Sequence, residues 1–190
     1  MKVIIDTNSL LSLVRYYLPF DKENLLFNFI KEKIEIGEII IIDKVYEQCT
    51  YNAKGLILKQ LAFLTDKSFL KKSKTPYKTD SLIAPSPAKF LRMVENQFVV
   101  GVQRKKITDV EFEVKKNQHL EDADIKLIVL CLNLIKNGEN VYLVTEETIG
   151  SNDNKLFVKI PVMCRELSIK CITLPKLIKL YLEDFELHFK

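Results

Sequence analysis

Short runs of β-branched and aliphatic residues recur along the chain, and the first three are each followed at once by an acidic residue. They lie at 3–5, 39–42, 141–145 and 170–173. Such runs are apolar on both faces, which is typical of the middle strands of a parallel sheet covered by helices. Because the carboxyl ends of parallel strands meet at one edge of a sheet, the residues that follow these runs are the first to consider for a site.

Residues with helical spacing separate these strands. Apolar side chains recur at three- and four-residue intervals between the runs, which predicts amphipathic helices. We place helices at about 10–18, 21–37, 44–64, 88–99, 121–138 and 162–167. Two further helices are predicted to begin at Thr108 and at Pro175. Strands that alternate with helices predict a three-layer α/β/α fold, in which a central parallel sheet of about four strands has helices on both faces.

The block at about 66–118 differs from the rest of the chain because it carries little strand signal. Its first part, 66–90, is rich in lysine and contains three prolines, so we predict a basic, exposed loop there. Thr108 and Glu111 have the spacing of a capping box and predict the start of a helix. We therefore interpret this block as a helical insertion in a single domain that covers 1–190.

Length, charge and cysteine content limit the class of protein. The chain has 190 residues and a net charge of +4, which suits one domain with a core and a mildly basic surface. Its cysteines lack metal-site spacing, so we expect reduced, buried thiols, no structural zinc and a cytoplasmic location. The first apolar run ends at Asp6, too early for a signal peptide, and no run is long enough for a membrane helix.

Acidic residues stand at the predicted carboxyl ends of strands and near the starts of the helices that follow. The set consists of Asp6, Glu47, Asp124 and Glu147. We expect these carboxylates to converge at one edge of the sheet. Like charges a few ångströms apart raise each other's pKa, and a divalent cation relieves this repulsion. Ligands that are all carboxylates favour a hard ion, Mg²⁺ or Mn²⁺.

Neighbouring acids leave two of these assignments open. Asp124 is preferred to Asp122 because apolar residues follow it at +3 and +4, which makes Asp122 the expected N-cap. Glu147 competes with Glu146 and Asp153 for the position after the third strand. Each acid also has a purely structural interpretation, such as ending a strand, capping a helix or complementing the helix dipole.

The order and spacing of these residues resemble the PIN-domain nucleases, which include the VapC toxins of toxin–antitoxin pairs. Residues 4–8, Ile-Ile-Asp-Thr-Asn, resemble the family's opening Ile-x-Asp-Ser/Thr-Asn/Ser, and 45–47, Val-Tyr-Glu, resemble its Val-x-Glu segment. The helix around Asp124 is similar to the family's Asp-x-x-Ile/Leu-Ile/Ala-x-x-Ala helix, and 143–147, Leu-Val-Thr-Glu-Glu, to its Val-Thr-x-Asp strand end. Further similarity within 159–174 resembles a less characterised PIN-like branch.

The resemblance covers about 1–64 and 119–180, and it implies a PIN-like fold that acts as a metal-dependent endoribonuclease. It implies that the four acids hold Mg²⁺ or Mn²⁺, that RNA is the substrate, that an antitoxin protein is a partner and that the assembly is a homodimer. Glu147 departs from the family pattern, in which Asp is commoner, and the 66–118 block is longer than in compact members. The alternatives are a non-catalytic RNA- or protein-binding module and a nuclease specific for DNA or for a nucleic-acid structure.

Other polar side chains are predicted to support the acids or to bind RNA. Asn8 and Thr145 are expected to orient ligands or water through hydrogen bonds, or else to supply ordinary turn polarity. Basic residues of the insertion are expected to contact RNA phosphates or merely to remain solvated. They are Lys71, Lys72, Lys74, Arg104 and Lys105. Phe69 and Tyr77 are candidates for stacking on bases, and His119 is a weaker candidate for a substrate contact.

Overall fold

The computed structural model describes residues 1–150 and 154–181, which form an α/β fold. One parallel sheet contains β1 at Lys2–Ile5, β2 at Ile39–Ile40, β3 at Val141–Val144 and β4 at Lys170–Ile172. The strand order is β2-β1-β3-β4, with every neighbouring pair parallel. The predicted parallel sheet of about four strands, flanked by helices, is confirmed.

Helices connect the strands and cover the sheet. Among the described residues they are α1 (Thr7–Ser12), α2 (Leu25–Glu35), α3 (Asp43–Tyr51), α4 (Leu56–Gln60), α5 (Lys67–Ser73), α6 (Pro87–Asn96), α7 (Gly101–Arg104), α8 (Asp109–Glu121), α9 (Ala123–Lys136), α10 (Ile160–Glu166) and α11 (Leu174–Leu180). A π-helical turn, Leu13–Tyr17, continues α1. Within the described part of the chain, no helix is long and apolar enough to cross a bilayer.

The first strand is the most deeply buried part of the sheet. Val3, Ile4 and Ile5 have no exposed surface. Because successive side chains of a strand point to opposite faces, both faces of the sheet are covered there. Burial of each such side chain contributes about 1.5–3 kcal/mol. The strand that ends at Asp6 is therefore held firmly at the centre of the fold.

The strand order creates a crevice between β1 and β3. From β1 the chain moves outward to β2, and from β3 it moves outward in the opposite direction to β4. In open parallel sheets, connections that diverge in this way leave a crevice at the carboxyl ends of the two central strands, where ligands bind. The residues that directly follow these two strands are Asp6 and Thr145.

The prediction of one continuous helix at 44–64 is wrong, because the structure divides this segment into shorter helices. α3 ends at Tyr51, and in the turn that follows Ala53, Lys54 and Gly55 have positive φ angles. Three consecutive left-handed residues cannot continue the α-helical hydrogen-bond pattern, and glycine is the residue best suited to that conformation. Apolar spacing persists across the break because α4 packs against the same core.

The prediction of a loop at 66–90 is also wrong in part, because α5 lies within this segment. The carboxylate of Asp66 accepts hydrogen bonds from the backbone N–H groups of Ser68 and Phe69, which starts this helix. The lysines around Asp66 obscured that signal in the sequence. Further along the block, the predicted capping box of Thr108 and Glu111 is confirmed at the start of α8.

The segment after α5 extends the sheet at its outer edge. The backbone N–H of Tyr77 donates to the carbonyl of Ile41, and the backbone N–H of Asp43 donates to the carbonyl of Tyr77, both at 2.9 Å. The hydroxyl of Thr79, which is fully buried, donates to Asp43 Oδ1 at 2.6 Å. The block is therefore bonded to the β2 side of the carboxyl edge and is not a free loop.

Candidate active site at the carboxyl edge of the sheet

Asp6 and Thr145 lie side by side at the ends of the two central strands. The backbone N–H of Asp6 donates to the carbonyl of Val144 at 3.0 Å, which continues the ladder between β1 and β3. The hydroxyl of Thr145 donates to Asp6 Oδ2 at 3.1 Å, and the backbone N–H of Thr7 donates to Oδ1 at 2.6 Å. Asp6 is thus also the N-cap of α1, and both of its carboxylate oxygens have donors.

Burial changes the acidity of Asp6. The residue is 5% exposed, and loss of hydration raises its pKa from 3.8 to about 6, although hydrogen bonds from Thr145 and Thr7 oppose the rise. The negative charge of Glu147 adds to the increase in pKa. Asn8 acts on Asp6 through its backbone N–H and leaves its side chain exposed. A carboxyl group in this state favours a bound proton or a nearby cation close to neutral pH.

Asp124 lies in the first turn of α9 and belongs to the same group of charges. Burial, and secondly the charges of Asp6 and Glu147, raise its pKa from 3.8 to about 7. Asp122 has a different place, as the N-cap residue of α9 with its Oδ2 atom 3.3 Å from Nδ1 of His119. The structure thus groups Asp124 with Asp6 and Glu147, and Asp122 with His119.

Glu147 is fixed at both its backbone and its carboxylate. Its backbone N–H donates to the hydroxyl oxygen of Thr145 at 3.2 Å. Its Oε2 atom accepts a hydrogen bond from the backbone N–H of Ile160, at the start of α10, at 3.0 Å. These contacts hold Glu147 close enough to Asp6 and Asp124 for its charge to raise the pKa of both. We call Asp6, Asp124 and Glu147 the acid cluster.

The adjacent Glu146 has a different partner. Its Oε1 atom accepts a hydrogen bond from the backbone N–H of Leu174 at 2.7 Å, at the first residue of α11. A carboxylate is stabilised there by the unpaired N–H groups and the dipole of the helix. Glu146 therefore stabilises the start of α11, whereas Glu147 is a member of the acid cluster. Asp153, the other alternative, lies outside the described residues.

Glu47 is the predicted acid that the structure does not join to the others. It is exposed on α3, and its neighbours on that helix make the contacts with the end of β1. Gln48 accepts a hydrogen bond from the hydroxyl of Thr7. Burial, and secondly the charge of Asp6, raise the pKa of the Cys49 thiol to about 12. α3 therefore packs beside Asp6, and Glu47 is exposed on this helix.

A cation beside the acid cluster was not predicted from the sequence. The Nζ atom of Lys155 lies 4.0 Å from Glu147 Oε1, and its positive charge opposes the rise in the pKa of Asp124. Lys155 stands in a polar loop without helical or strand periodicity. No local pattern in the sequence therefore distinguished it from the other lysines.

The segment after Lys155 is bonded to the insertion. Two backbone hydrogen bonds of 2.8 Å join 98–100 to 156–158 in an antiparallel bridge. The role of the 66–118 block was open from the sequence. In the structure, part of this block supports the wall of the site that carries Lys155.

His119 lies behind this wall. Its ring is buried and stacks on Phe157, with ring centroids 4.0 Å apart and an angle of 10° between the planes. Burial lowers the pKa of His119, although the carboxylate of Asp122 opposes that change. Together with Gln118 these residues line a cavity of about 560 Å³. The environment of His119 is that of a neutral, packed ring.

The lysines predicted to bind RNA on α5 are exposed, and one has an acidic partner. Lys71, Lys72 and Lys74 lie in the last turn of α5 and at its C-cap. The Nζ atom of Lys72 lies 3.0 Å from a carboxylate oxygen of Glu35. Phe69 is buried in the core, so its predicted role in stacking on bases is wrong.

The basic residues on α7 differ from one another. Arg104 forms an ion pair with Asp109, and its guanidinium carbon lies 4.4 Å from the ring centroid of Phe112, so this side chain links α7 to α8. Lys105 is exposed. Tyr77, the other candidate for stacking on bases, keeps 40% of its surface exposed.

The acid cluster fits a hard divalent cation by its chemistry. All of its ligand atoms are carboxylate oxygens, and two of its members already have a raised pKa that a cation would relieve. Within 1–150 and 154–181, no three Asp, Glu, His or Cys side chains are placed to hold a metal ion together. Mg²⁺ commonly binds through one or two carboxylates and keeps several waters, so it does not need such a cage.

Sequence comparison relates the chain to a family. The profile described as "Domain of unknown function (DUF4411)" matches residues 3–183, a range that contains β1 from its second residue, the other three strands and the 66–118 block. No curated protein and no solved structure matches the chain.

Proposed function

The chain belongs to the DUF4411 family, a domain of unknown function, and we propose from the acid cluster that it is a metal-dependent endoribonuclease with a three-layer, PIN-like fold. One observation carries the proposal. At the crevice between the central strands, burial and then the charges of Asp6 and Glu147 raise the pKa of Asp124 to about 7. Carboxylates that repel one another at such a crevice destabilise the fold, whereas a bound cation is stabilised by them.

The residues of the chain hold and order the ligand oxygens. Thr145 and Thr7 orient the two oxygens of Asp6, and the N–H of Ile160 orients Glu147. A bound Mg²⁺ or Mn²⁺ supplies Lewis acidity and lowers the pKa of water. In the hydrolysis, a water oxygen bonds to phosphorus and loses a proton, the bond to the leaving sugar oxygen breaks, and that oxygen gains a proton. The protein forms no covalent bond to the substrate.

RNA as the substrate and a role as the toxin of a toxin–antitoxin pair follow from the resemblance to PIN-domain nucleases. The net charge of +4 and the exposed lysines of α5 agree with a polyanionic substrate. An antitoxin partner and a homodimer belong to the same proposal. If the protein is a toxin, its expression should stop cell growth. Co-expression of a small reading frame from a neighbouring gene should then restore growth.

A second candidate is a non-catalytic module that binds RNA or protein. The exposed Glu47 favours it, because only three of the four predicted acids form the acid cluster. A nuclease specific for DNA or for a nucleic-acid structure retains the same acids, and assays with single-stranded RNA, duplex RNA and DNA distinguish the substrates.

The central test is cleavage of single-stranded RNA with Mn²⁺ supplied. We expect Asp6→Asn and Asp124→Asn to lower the rate by about 100-fold or more, as removal of one preorganised electrostatic group does. Asp122→Asn is the matched control, because it removes an equal charge two residues away, and it should keep the wild-type rate. Full cleavage by Asp6→Asn would contradict the assignment. Wild-type protein that binds no Mn²⁺ in calorimetry would favour the non-catalytic module.

A further inference from the structure

We propose that Lys155 is a catalytic residue of this site, whose ammonium group binds a non-bridging oxygen of the scissile phosphate above the acid cluster. The inference rests on the proposed function. It adds to that function the group of this chain that recognises the reacting phosphate, and it concerns a residue outside the set identified from the sequence.

Lys155 brings a positive charge to the solvent side of the acid cluster. Its Nζ atom is 4.0 Å from Glu147 Oε1, while 57% of its side chain remains exposed. Its charge also acts on Asp124, where it opposes the rise in pKa. An ammonium group with the acids on one side and solvent on the other is accessible to a phosphodiester that approaches from solution.

The contact with Glu147 is long for an ion pair, with Nζ of Lys155 and Oε1 of Glu147 4.0 Å apart. Glu147 already accepts a hydrogen bond at its other oxygen from the N–H of Ile160. A compact ammonium group on a flexible stem is, however, a common ligand of phosphate.

The backbone beside Lys155 is held in place, so the origin of its side chain is fixed. The next residues, 156–158, are bonded to 98–100 by two hydrogen bonds of 2.8 Å. Phe98, in the partner segment, is fully buried. A charge positioned in advance of the reaction costs less to organise in the transition state than one on a mobile loop.

The divalent ion and Lys155 have complementary tasks. A divalent cation held by the acid cluster would offset the charge of Glu147 and so weaken its attraction for Lys155. The ammonium group of Lys155 would bind a phosphate oxygen, where negative charge is spread in the transition state of phosphoryl transfer. Lys155 keeps its own protons throughout and contributes charge alone.

The test compares wild-type protein with Lys155→Met, Lys155→Arg and Lys136→Met. The last variant is the matched control, because it removes the same charge at the far end of α9. Steady-state cleavage of single-stranded RNA and Mn²⁺ affinity by calorimetry are measured for each. We expect Lys155→Met to lower kcat about 10- to 100-fold, Lys155→Arg to recover part of that loss, and Lys136→Met to match the wild type. Mn²⁺ affinity should be unchanged or higher in Lys155→Met, because a competing cation has gone.

The outcomes separate this inference from the proposed function. Wild-type kcat in Lys155→Met overturns the role of Lys155 and leaves the nuclease assignment standing. An equal loss of kcat in Lys136→Met also overturns it, because the effect would then be one of overall charge. Wild-type protein that neither binds Mn²⁺ nor cleaves RNA removes the proposed function and the role of Lys155 together.

Discussion

The hydroxyl of Thr145 donates a hydrogen bond to Asp6 Oδ2 at 3.1 Å, across a sequence separation of 139 residues. The oxygen of the same hydroxyl accepts the backbone N–H of Glu147 at 3.2 Å. One buried threonine therefore positions two members of the acid cluster. Their relative placement is set by the pairing of β1 with β3, which extends over all four residues of each strand.

Replacement of Thr145 by Val should weaken both the fold and the metal site. Asp6 loses a donor and the N–H of Glu147 loses an acceptor, so we expect the free energy of unfolding to fall by about 1–3 kcal/mol. The pKa of Asp6 should rise further, because the lost hydrogen bond lowers it. Mn²⁺ affinity near pH 6.5 should then fall in calorimetry. Thr145→Ser keeps the hydroxyl and is the control; equal Mn²⁺ affinity in the two variants would count against this role.

Replacement of Asp124 by Asn should stabilise the metal-free protein at neutral pH. The pKa of Asp124 in the fold is raised from 3.8 to about 7, so the folded state binds the proton more tightly than the unfolded state does. The resulting stability is fully present below about pH 4 and is lost as the pH rises through 7. Asn removes this loss, and because a tenfold difference in proton affinity corresponds to about 1.4 kcal/mol, the gain over wild type at pH 7.5 should be on the order of 4 kcal/mol.

This pH effect is measured by urea denaturation at pH 4 and pH 7.5 with a chelator present. The difference between wild type and Asp124→Asn should be larger at the higher pH. Asp122→Asn serves as the control, because it removes a neighbouring charge that is paired with His119 instead. The same difference in stability at both pH values would show that Asp124 is not buried as an acid of raised pKa.

Binding of Mn²⁺ should release protons. Asp6 and Asp124 have pKa values of about 6 and about 7, so at pH 6 both are partly protonated and must ionise to bind a cation. The apparent affinity should therefore increase as the pH rises from 5.5 to 7.5. Calorimetry in buffers with different ionisation enthalpies counts the protons released. Binding that is independent of pH over this range would place the metal elsewhere.

The two glutamates after β3 should respond to mutation in opposite ways. Glu147→Gln removes a charge from the acid cluster, so we expect a loss of cleavage of about tenfold or more and a lower pKa for Asp124. Glu146→Gln should keep the cleavage rate and lose only about 0.3–1 kcal/mol of stability at the start of α11. Cleavage rates and denaturation curves of the two variants decide the assignment, and the reverse pattern would exchange their roles.

Replacement of Val100 by Pro tests the support that the insertion gives to Lys155. Val100 has a φ angle of −80°, which proline accepts, so the change removes chiefly the N–H that donates to Leu156. We expect unfolding free energy to fall by about 1 kcal/mol and kcat to fall while Mn²⁺ affinity is kept. Val102→Ala, at an exposed neighbour, is the control. Unchanged kcat would separate the insertion from catalysis.

The sequence predicted those features that depend on local patterns. The run 3–5 is apolar on both faces and stops at Asp6, so the central strand and its terminal acid could be recognised together. Asp124 was distinguished from Asp122 by the phase of the helix behind it. Both inferences use a repeat of a few residues, which a single sequence displays directly.

Features that depend on distant packing could not be predicted in the same way. Glu146 and Glu147 are adjacent, and only the approach of α11 and α10 gives each its partner. Lys155 reaches the acid cluster because 98–100 pairs with the segment beside it, a contact between parts far apart in the chain. Glu47 lies opposite the buried stripe of its helix in the sequence pattern, and it is exposed in the structure. The pattern could not show that, among the described residues, it makes no contact with the other acids.

The position of β1 between β2 and β3 has a consequence for how the protein is made on the ribosome. Asp6 is synthesised 139 residues before Thr145, whose hydroxyl binds it, and the neighbouring strand β3 is also synthesised late. Pairing across so long a separation is slow, because a large loop must close first. A nascent chain therefore lacks the acid cluster until β3 and the residues that directly follow it have been synthesised.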